Sequence, residues 1–272
     1  PYTTLFRSGT SSAVVTNGYV YAPNLTSGSP GATFAILIDT SKLYIGNVFS
    51  DAVAARGMYL QCGDQDEACS LHAINNTGRS VSNKGLVIAA SKLPDVVGNA
   101  SNMVVDHNTG ISGSNNGIAM INGNLKRCTA YSETGDAMLI GGSDNTSYNI
   151  NVIDCIAESK GGYALVCDRD CYIIGGTYIS RLDTSAGNPI RLSATLPTYD
   201  PLGDRGYCIV GVKTMATNTS AYAISGVAGA VVRISGCDFL NQFLLTNVPG
   251  IDPIITQRVV TQDGLAVNGN RK

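Results

Sequence analysis

The chain has 272 residues and a formal net charge of −2, with only 14% charged residues, which argues against a basic face for nucleic acid. Gly, Asn, Ser and Thr account for 99 residues and Glu for three, so a mainly helical protein is excluded. The hydrophobic content of 44% is too high for a disordered linker, and no apolar run approaches the roughly 20 residues that a membrane span needs. We therefore expect a β protein rich in turns, with no nucleic-acid partner and no membrane insertion.

The first residues do not resemble the remainder of the chain. Residues 1–8 look like the in-frame translation of a sequencing-library adapter, and we interpret them as an artefact. On that interpretation the chain is a fragment whose native N-terminus is missing. Residues 9–33 are then an N-terminal extension or an incomplete first coil.

A repeat organises residues 34–249. In each unit a short β-rich run ends at a turn, and these turns recur at intervals of 21 to 36 residues. Most turn positions are Gly, Asn or Asp, the residues that best tolerate a left-handed backbone. A second turn follows within about a dozen residues and leads into another short strand. The first turn column consists of Gly46, Asn75, Asp106, Arg127, Asp154, Gly176, Val212 and Gly236.

Short strands at this spacing favour a solenoid. A doubly wound sheet needs crossover helices, for which no helical period is present. A jelly roll or sandwich needs closer hairpins and clearer polar/apolar alternation. In a solenoid, small inward residues stack from coil to coil, and we expect Ala119, Ala137, Ala164 and Ala223 to form one such stack. Residues 250–272 depart from the repeat and are expected to be a cap, a linker or the start of a further module.

Two segments carry a resemblance to a known family. Residues 151–156 and 232–239 are each followed by a strand that opens with an aromatic residue, Tyr163 or Phe243. They resemble the coils of right-handed parallel β-helices of the pectate-lyase-like class, which includes bacteriophage tailspikes and polysaccharide depolymerases. The resemblance covers about residues 34–245. It implies an all-β fold, a single-stranded right-handed parallel β-helix of about eight coils, and a homotrimer for the intact protein.

Three cysteines recur at one repeat position. Cys128, Cys155 and Cys237 each follow the first turn directly, and His107 and Thr177 are their counterparts in other coils. Free cysteine behaves as a small buried hydrophobe. We therefore predict an inward stack of unoxidised thiols and a buried structural imidazole at His107.

The remaining cysteines leave the redox state open. Cys62 with Cys69, and Cys167 with Cys171, have local disulfide spacing. No Cys-x-x-Cys or helical His-x-x-x-His is present, so the ligand set for zinc is poor. We predict no metal and no cofactor.

A group of carboxylates is the candidate for chemistry. Glycoside hydrolysis usually needs an acid and a second carboxylate about 5–9.5 Å apart, and neighbouring coils about 4.8 Å apart supply such separations. The alternative is a solvated ion pair at a loop edge. Aligning residues 130–136 with 157–163 places Tyr131 beside Glu158, Glu133 beside Lys160, and Asp136 beside Tyr163. The catalytic candidates are Glu133, Asp136, Glu158 and Asp183.

Elimination is the alternative chemistry. A polysaccharide lyase would need a base such as Lys160, Arg181 or Tyr131, and in this family often Ca²⁺ to neutralise a uronate. A clear Asp-rich calcium loop is missing from the sequence. Lys160 and Arg181 are also candidates for substrate binding.

An aromatic row is the candidate for glycan binding. We expect the residue after the second turn to point outward, at Met58 and Leu86 in the early coils and at Tyr163, Tyr222 and Phe243 later. Sugar rings present apolar faces that pack on aromatic planes. Such a face can equally be buried against another subunit.

Three functions fit these features. The first is a tailspike- or fibre-like protein, in the virion tail or extracellular, that binds and hydrolyses bacterial surface polysaccharide. The second is a secreted polysaccharide hydrolase or lyase, although pectinase signatures such as Gly-His-Gly and Asn-Thr-Asp do not occur. The third is a β-helical adhesin without catalysis.

Overall fold

The computed structural model describes most of the repeat region. All regular secondary structure in the described residues is β-strand. The described residues are 4–7, 12–22, 34–40, 42–62, 70–90, 102–120, 123–141, 150–168, 171–193, 207–218, 220–226, 231–240 and 252–255.

The strands are short after the first two repeats. In the first half they are β1 (Thr4–Arg7), β2 (Ser12–Ala22), β3 (Phe34–Thr40), β4 (Lys42–Ala52), β5 (Arg56–Cys62), β6 (Ser70–Ile74), β7 (Thr77–Ser80), β8 (Leu86–Ala90), β9 (Asn102–Asp106), β10 (Thr109–Ser112), β11 (Ile118–Met120), β12 (Asn124–Lys126) and β13 (Thr129–Ser132). In the second half they are β14 (Met138–Ile140), β15 (Ile150–Ile153), β16 (Ile156–Ser159), β17 (Leu165–Cys167), β18 (Cys171–Ile174), β19 (Thr177–Ser180), β20 (Ile190–Leu192), β21 (Tyr207–Val210), β22 (Lys213–Ala216), β23 (Ile224–Gly226), β24 (Val231–Ser235), β25 (Asp238–Leu240) and β26 (Asp252–Ile255).

Two long sheets contain all of these strands. Sheet A has nine strands in the order β1-β3-β5-β8-β11-β14-β17-β20-β23, and the other 17 strands form sheet B. Along the chain, one strand of sheet A is followed by two strands of sheet B, while the long β2 and β4 each take the place of such a pair. Every described pairing is parallel. The architecture is all-β and is compatible with a parallel β-helix.

A left-handed residue separates the two sheet B strands of each repeat. The predicted turn column is confirmed at Asn75, Arg127, Asp154 and Gly236, all of which have positive φ. It is wrong by one residue elsewhere. The bend lies at Asn47, His107 and Gly211 instead of Gly46, Asp106 and Val212, and both Gly175 and Gly176 have positive φ.

The residue after the bend points inward and forms a hydrogen-bonded ladder. The Asn76 amide donates to Asn108 Oδ1 over 2.9 Å, and the Asn108 backbone N–H donates to Cys128 Sγ over 3.3 Å. Cys155 and Cys237 are also buried at this position. Cys128 and Cys155 are therefore stacked as predicted and are continued by asparagines, whereas Gly176 and Val212 separate Cys237 from Cys155.

The counterparts of these cysteines differ from the prediction. The strand register places Asn108 and Gly176 at the thiol position, where His107 and Thr177 were expected. The buried-imidazole prediction is wrong: the His107 side chain is 52% exposed, with Nδ1 3.0 Å from Asp106. The cause is the one-residue shift, because a side chain at the left-handed bend points away from the core.

A second ladder closes the corner between sheet B and the next strand of sheet A. The Ser159 hydroxyl donates to the Gly135 carbonyl of the preceding repeat over 2.6 Å and accepts from the Gly162 N–H over 2.8 Å. Equivalent serines make the same two bonds in earlier repeats. These buried residues are Ser80, Ser112 and Ser132.

The core lies between the sheets and is mostly aliphatic, with Tyr178, Tyr207 and Phe239 fully buried among the aliphatic side chains. Ala137, Ala164 and Ala223 precede in-register strand residues and are fully buried, as predicted. Ala119 occupies a different register position, opposite Leu139. Met58 and Leu86, which were expected to point outward, are fully buried, as is Ile118 opposite Leu86, so that prediction is wrong.

Replacing Ser159 with alanine tests the serine ladder. We expect the free energy of unfolding to fall by about 1–2 kcal/mol, because the Gly135 carbonyl and the Gly162 N–H lose their partner. Urea denaturation followed by circular dichroism measures the change. Ser114 is exposed in the equivalent corner of an earlier repeat, so Ser114→Ala is the matched control. Equal losses in both variants would contradict the ladder.

Candidate functional site

The corner after the second sheet B strand brings the predicted neighbours together. Strands β13 and β16 pair with Tyr131 opposite Glu158. One position beyond the strands, Lys160 Nζ lies 3.0 Å from a Glu133 carboxylate oxygen. Further along, the backbone N–H of Tyr163 donates to Asp136 Oδ1 over 2.9 Å. The three side-by-side pairs lie where the alignment of the two repeats predicts them.

Glu133 is held as an exposed anion. Its carboxylate accepts hydrogen bonds from the Tyr131 hydroxyl and from Lys160. Both bonds hold the pKa of Glu133 below its usual range, and the bond from Tyr131 has the larger effect. A solvated pair of this kind contributes little to stability. Glu133 is therefore poorly suited to donate a proton near neutral pH.

The other two predicted carboxylates face solvent at the same corner. Arg181 Nε donates to Glu158 Oε1 over 3.0 Å, so Glu158 is also paired with a cation. Asp183 is exposed in the loop that follows Arg181. Glu158 points outward from β16, whereas Asp136 lies across the corner, immediately before β14.

The residues considered as lyase bases are protonated and bonded. Hydrogen bonds with Tyr131 and Glu133 raise the pKa of Lys160 to about 12. Burial, together with the bond to Glu133, raises the pKa of Tyr131. Arg181 is ion-paired, and a guanidinium stays protonated in proteins. None of the three is a base near neutral pH.

Asp136 has a different environment. Its side chain is half-buried, and burial raises the pKa of Asp136 above its usual range, although the Tyr163 N–H acts in the opposite direction. Within the described residues it is the one carboxyl group whose pKa is shifted upward. Leu139, three residues after Asp136 on β14, lies in register with Ala119 and Val166 on the neighbouring strands, and both of these residues are buried. A carboxyl in such apolar surroundings keeps its proton to higher pH.

Three further polar residues lie around Asp136, and sequence reasoning missed them. The Arg191 guanidinium lies 5.2 Å from the centre of the Tyr163 ring and attracts the Asp136 charge. Asp168, at the end of β17, repels it and accepts a hydrogen bond from the Ser193 hydroxyl. Arg191 lies opposite Val166. Predicting this register from the sequence would have required the correct number of residues in the long loop before β20.

The aromatic row is interrupted. Tyr163 and Tyr222 occupy equivalent corner positions two repeats apart, about 10 Å at the usual strand spacing. Asn188 lies between them, and its side-chain oxygen accepts the Tyr222 N–H over 2.7 Å. Both tyrosines are half-buried. Phe243 lies outside the described residues.

Comparisons with known proteins add no assignment. No protein-family model matches the chain, and no curated protein matches it. Across the described residues, no three His, Cys, Asp or Glu side chains are grouped as metal ligands. The described part of the chain also contains no helix long and apolar enough to span a membrane.

The substitution Asp136→Asn tests the environment of this carboxyl. The amide keeps an acceptor for the Tyr163 N–H and removes the buried charge. Because the folded pKa is raised, the parent loses stability as pH rises through that pKa, so the variant is expected to be more stable at neutral pH. In acid, where both side chains are neutral, the difference should vanish. Chemical denaturation at both pH values measures it.

Glu133→Gln is the matched control. The pKa of Glu133 is lowered, so its ion pair favours folding at neutral pH and is lost in acid. This variant should gain no stability at neutral pH. An Asp136→Asn protein less stable than the parent at neutral pH would contradict the raised pKa.

Proposed function

We propose that the protein binds a polysaccharide at the outer face of sheet A and hydrolyses it, with Asp136 as general acid. The observations that carry the proposal are geometric: Asp136 is a half-buried carboxyl that accepts the Tyr163 backbone N–H, and the Arg191 guanidinium lies over the Tyr163 ring. Burial raises the pKa of Asp136, and the charge of Asp168 also acts on it. A carboxylic acid and a second carboxylate are the usual equipment of glycoside hydrolysis.

Each residue has a separate role in this mechanism. Asp136 donates its proton to the glycosidic oxygen as the bond to the sugar breaks. Asp168, oriented by the Ser193 hydroxyl, acts on the opposite side, as base toward water in an inverting reaction or as nucleophile in a retaining one. In the inverting reaction Asp168 takes a proton from the attacking water, and exchange with solvent returns both carboxyl groups to their starting states. In the retaining reaction Asp168 forms a glycosyl ester, and the deprotonated Asp136 takes a proton from the water that hydrolyses this ester.

The tyrosines hold the chain. The Tyr163 ring, covered on one side by Arg191, lies directly beside Asp136. Tyr222 supplies a second ring two repeats further on. Aromatic planes at this spacing suit an extended glycan that runs from repeat to repeat. Glu133, Glu158 and Asp183 are outside the catalytic pair in this proposal, and Lys160 and Arg181 neutralise the two glutamates.

The family resemblance supplies the biological setting of the proposal. A right-handed parallel β-helix of about eight coils, similar to tailspikes, suits a protein of the virion tail or the extracellular space that acts on bacterial surface polysaccharide. The all-parallel sheets support this architecture. The lyase alternative loses support because its candidate bases are protonated.

A degradation assay on capsule and lipopolysaccharide preparations tests the activity. The parent should release oligosaccharides. Asp136→Asn should lower the rate by about 10²–10⁴-fold while binding persists, because a general acid acts only on the chemical step. Tyr163→Ala should weaken binding first. Tyr21→Ala, at an exposed tyrosine on β2 of sheet B, is the matched control and should change neither.

Other outcomes would replace the proposal. Binding without release of oligosaccharide from any preparation would favour the adhesin. Products with unsaturated-uronate absorbance would indicate elimination. Loss of activity in Glu133→Gln or Glu158→Gln, with Asp136→Asn active, would move catalysis to the other side of the corner.

We also propose that the protein is a homotrimer through the outer face of sheet B. Ile153, Ile174 and Val210 lie in register on neighbouring strands and form an outward, uncharged column. Ile174 and Val210 are 40% and 36% exposed. Apolar columns of this kind favour burial against an equivalent surface.

Sedimentation of the intact protein at micromolar concentration tests the trimer. The parent should sediment as a trimer and Ile174→Asp as a monomer, because the introduced charge would be buried without a partner. Val81 is similarly exposed at a corner outside this column, so Val81→Asp should remain trimeric. A monomeric parent would reject this interface.

A further inference from the structure

Two cysteines of one repeat are in direct contact. Cys167 ends β17 in sheet A and Cys171 begins β18 in sheet B, with three residues between them. Both side chains are fully buried and both thiols are free. Their sulfur atoms lie 3.1 Å apart. The pair therefore joins the two sheets within a single repeat.

The stacked Cys128 and Cys155 also contact each other, but the surroundings of the stacked thiols differ from those of this pair. Cys155 and Cys237 each donate to a backbone carbonyl of the preceding repeat, Leu125 and Ile209, over 3.6 Å. The Cys167 and Cys171 sulfurs contact each other instead.

The preceding repeat carries aliphatic residues at both positions, and the following repeat carries Leu192 and Tyr207. Cys167 lies in register between Ile140 and Leu192, and Cys171 lies opposite Ile150. Packing alone would be satisfied by the same residues in this repeat. Replacement of two facing aliphatic positions by two thiols in contact points to a role for the pair.

We propose that Cys167 and Cys171 form an intramolecular disulfide by exchange with a small-molecule disulfide such as oxidised glutathione. The thiolate of one cysteine attacks the external disulfide, forming a mixed disulfide and releasing one glutathione. The second thiolate attacks the protein sulfur of that mixed disulfide and releases the other glutathione. Two protein thiols are oxidised, the external disulfide is reduced to two thiols, and their protons come from the cysteines.

The geometry suits ring closure. A covalent S–S bond is about 2.05 Å long, so the sulfurs need to approach by about 1 Å. Both thiols are buried, and burial raises the pKa of Cys167. The exchange therefore takes place through a local opening that admits the oxidant and lets the thiolate form. The cross-link would fasten β17 to β18 at Asp168. The proposal does not depend on the glycan-binding site.

Peptide mapping of the full chain tests the proposal. The protein is incubated with oxidised glutathione, free thiols are alkylated, and trypsin is added without reductant. Trypsin cleaves after Lys160, Arg169 and Arg181, so the two cysteines fall in different peptides, 161–169 and 170–181, each with no other cysteine. We expect these peptides as one linked species that lacks two hydrogen atoms and separates on reduction.

Two variants make the result specific. Cys167→Ser should abolish the linked species. Cys208 lies on the next strand, opposite Tyr172, so Cys208→Ser is the matched control and should leave the link intact. A parent protein in which both peptides are recovered alkylated, or in which Cys171 is linked to Cys208, would overturn the proposal. The map of the parent decides the question even if a variant fails to fold.

Discussion

The structure depends on in-register stacking of each residue on its equivalent in the next repeat, about 4.8 Å away. Parallel pairing repeats the same position from strand to strand, so a polar side chain at a stacked inward position needs a partner that the repeat before or after it can supply. The asparagine–cysteine ladder and the serine ladder meet this requirement: Asn76 bonds to Asn108, and Ser159 bonds to Gly135. Both ladders therefore tie neighbouring repeats at the two corners where the backbone turns.

The same constraint assembles the candidate site. Asp136, Tyr163 and Arg191 are more than twenty residues apart in sequence, and stacking makes them neighbours. The serine ladder sets the corner, because the bond from Gly162 N–H to Ser159 fixes the turn from which Tyr163 emerges. Asp136 is half-buried as a consequence, and its environment differs from that of the exposed Glu133 a few residues earlier. Only Thr134 and Gly135 separate the ion-paired Glu133 from Asp136, whose pKa is raised.

Sequence alignment of the repeats succeeded where adjacent repeats have equal loops. Residues 130–136 and 157–163 align without a gap, so the pairing of Tyr131 with Glu158 was predicted correctly. It failed where a one-residue shift reverses a side chain. His107 was placed in the core but lies on the left-handed bend, because Asn108 takes the inward position. It also missed Arg191 beside Tyr163, since the loop before β20 is longer than its counterpart before β17.

The sequence by itself determined the class of architecture, the positions of half of the bends and the stacked pair of thiols, since these depend on local turn chemistry and on the recurrence of short strands. Only the tertiary structure decided which residues face inward, because a strand alternates every residue and the register is set by hydrogen bonds to the next repeat. It also decided the state of the carboxyl groups. Burial and the charges of Arg191 and Asp168 act on Asp136 through space, and neither can be read from residue types along the chain.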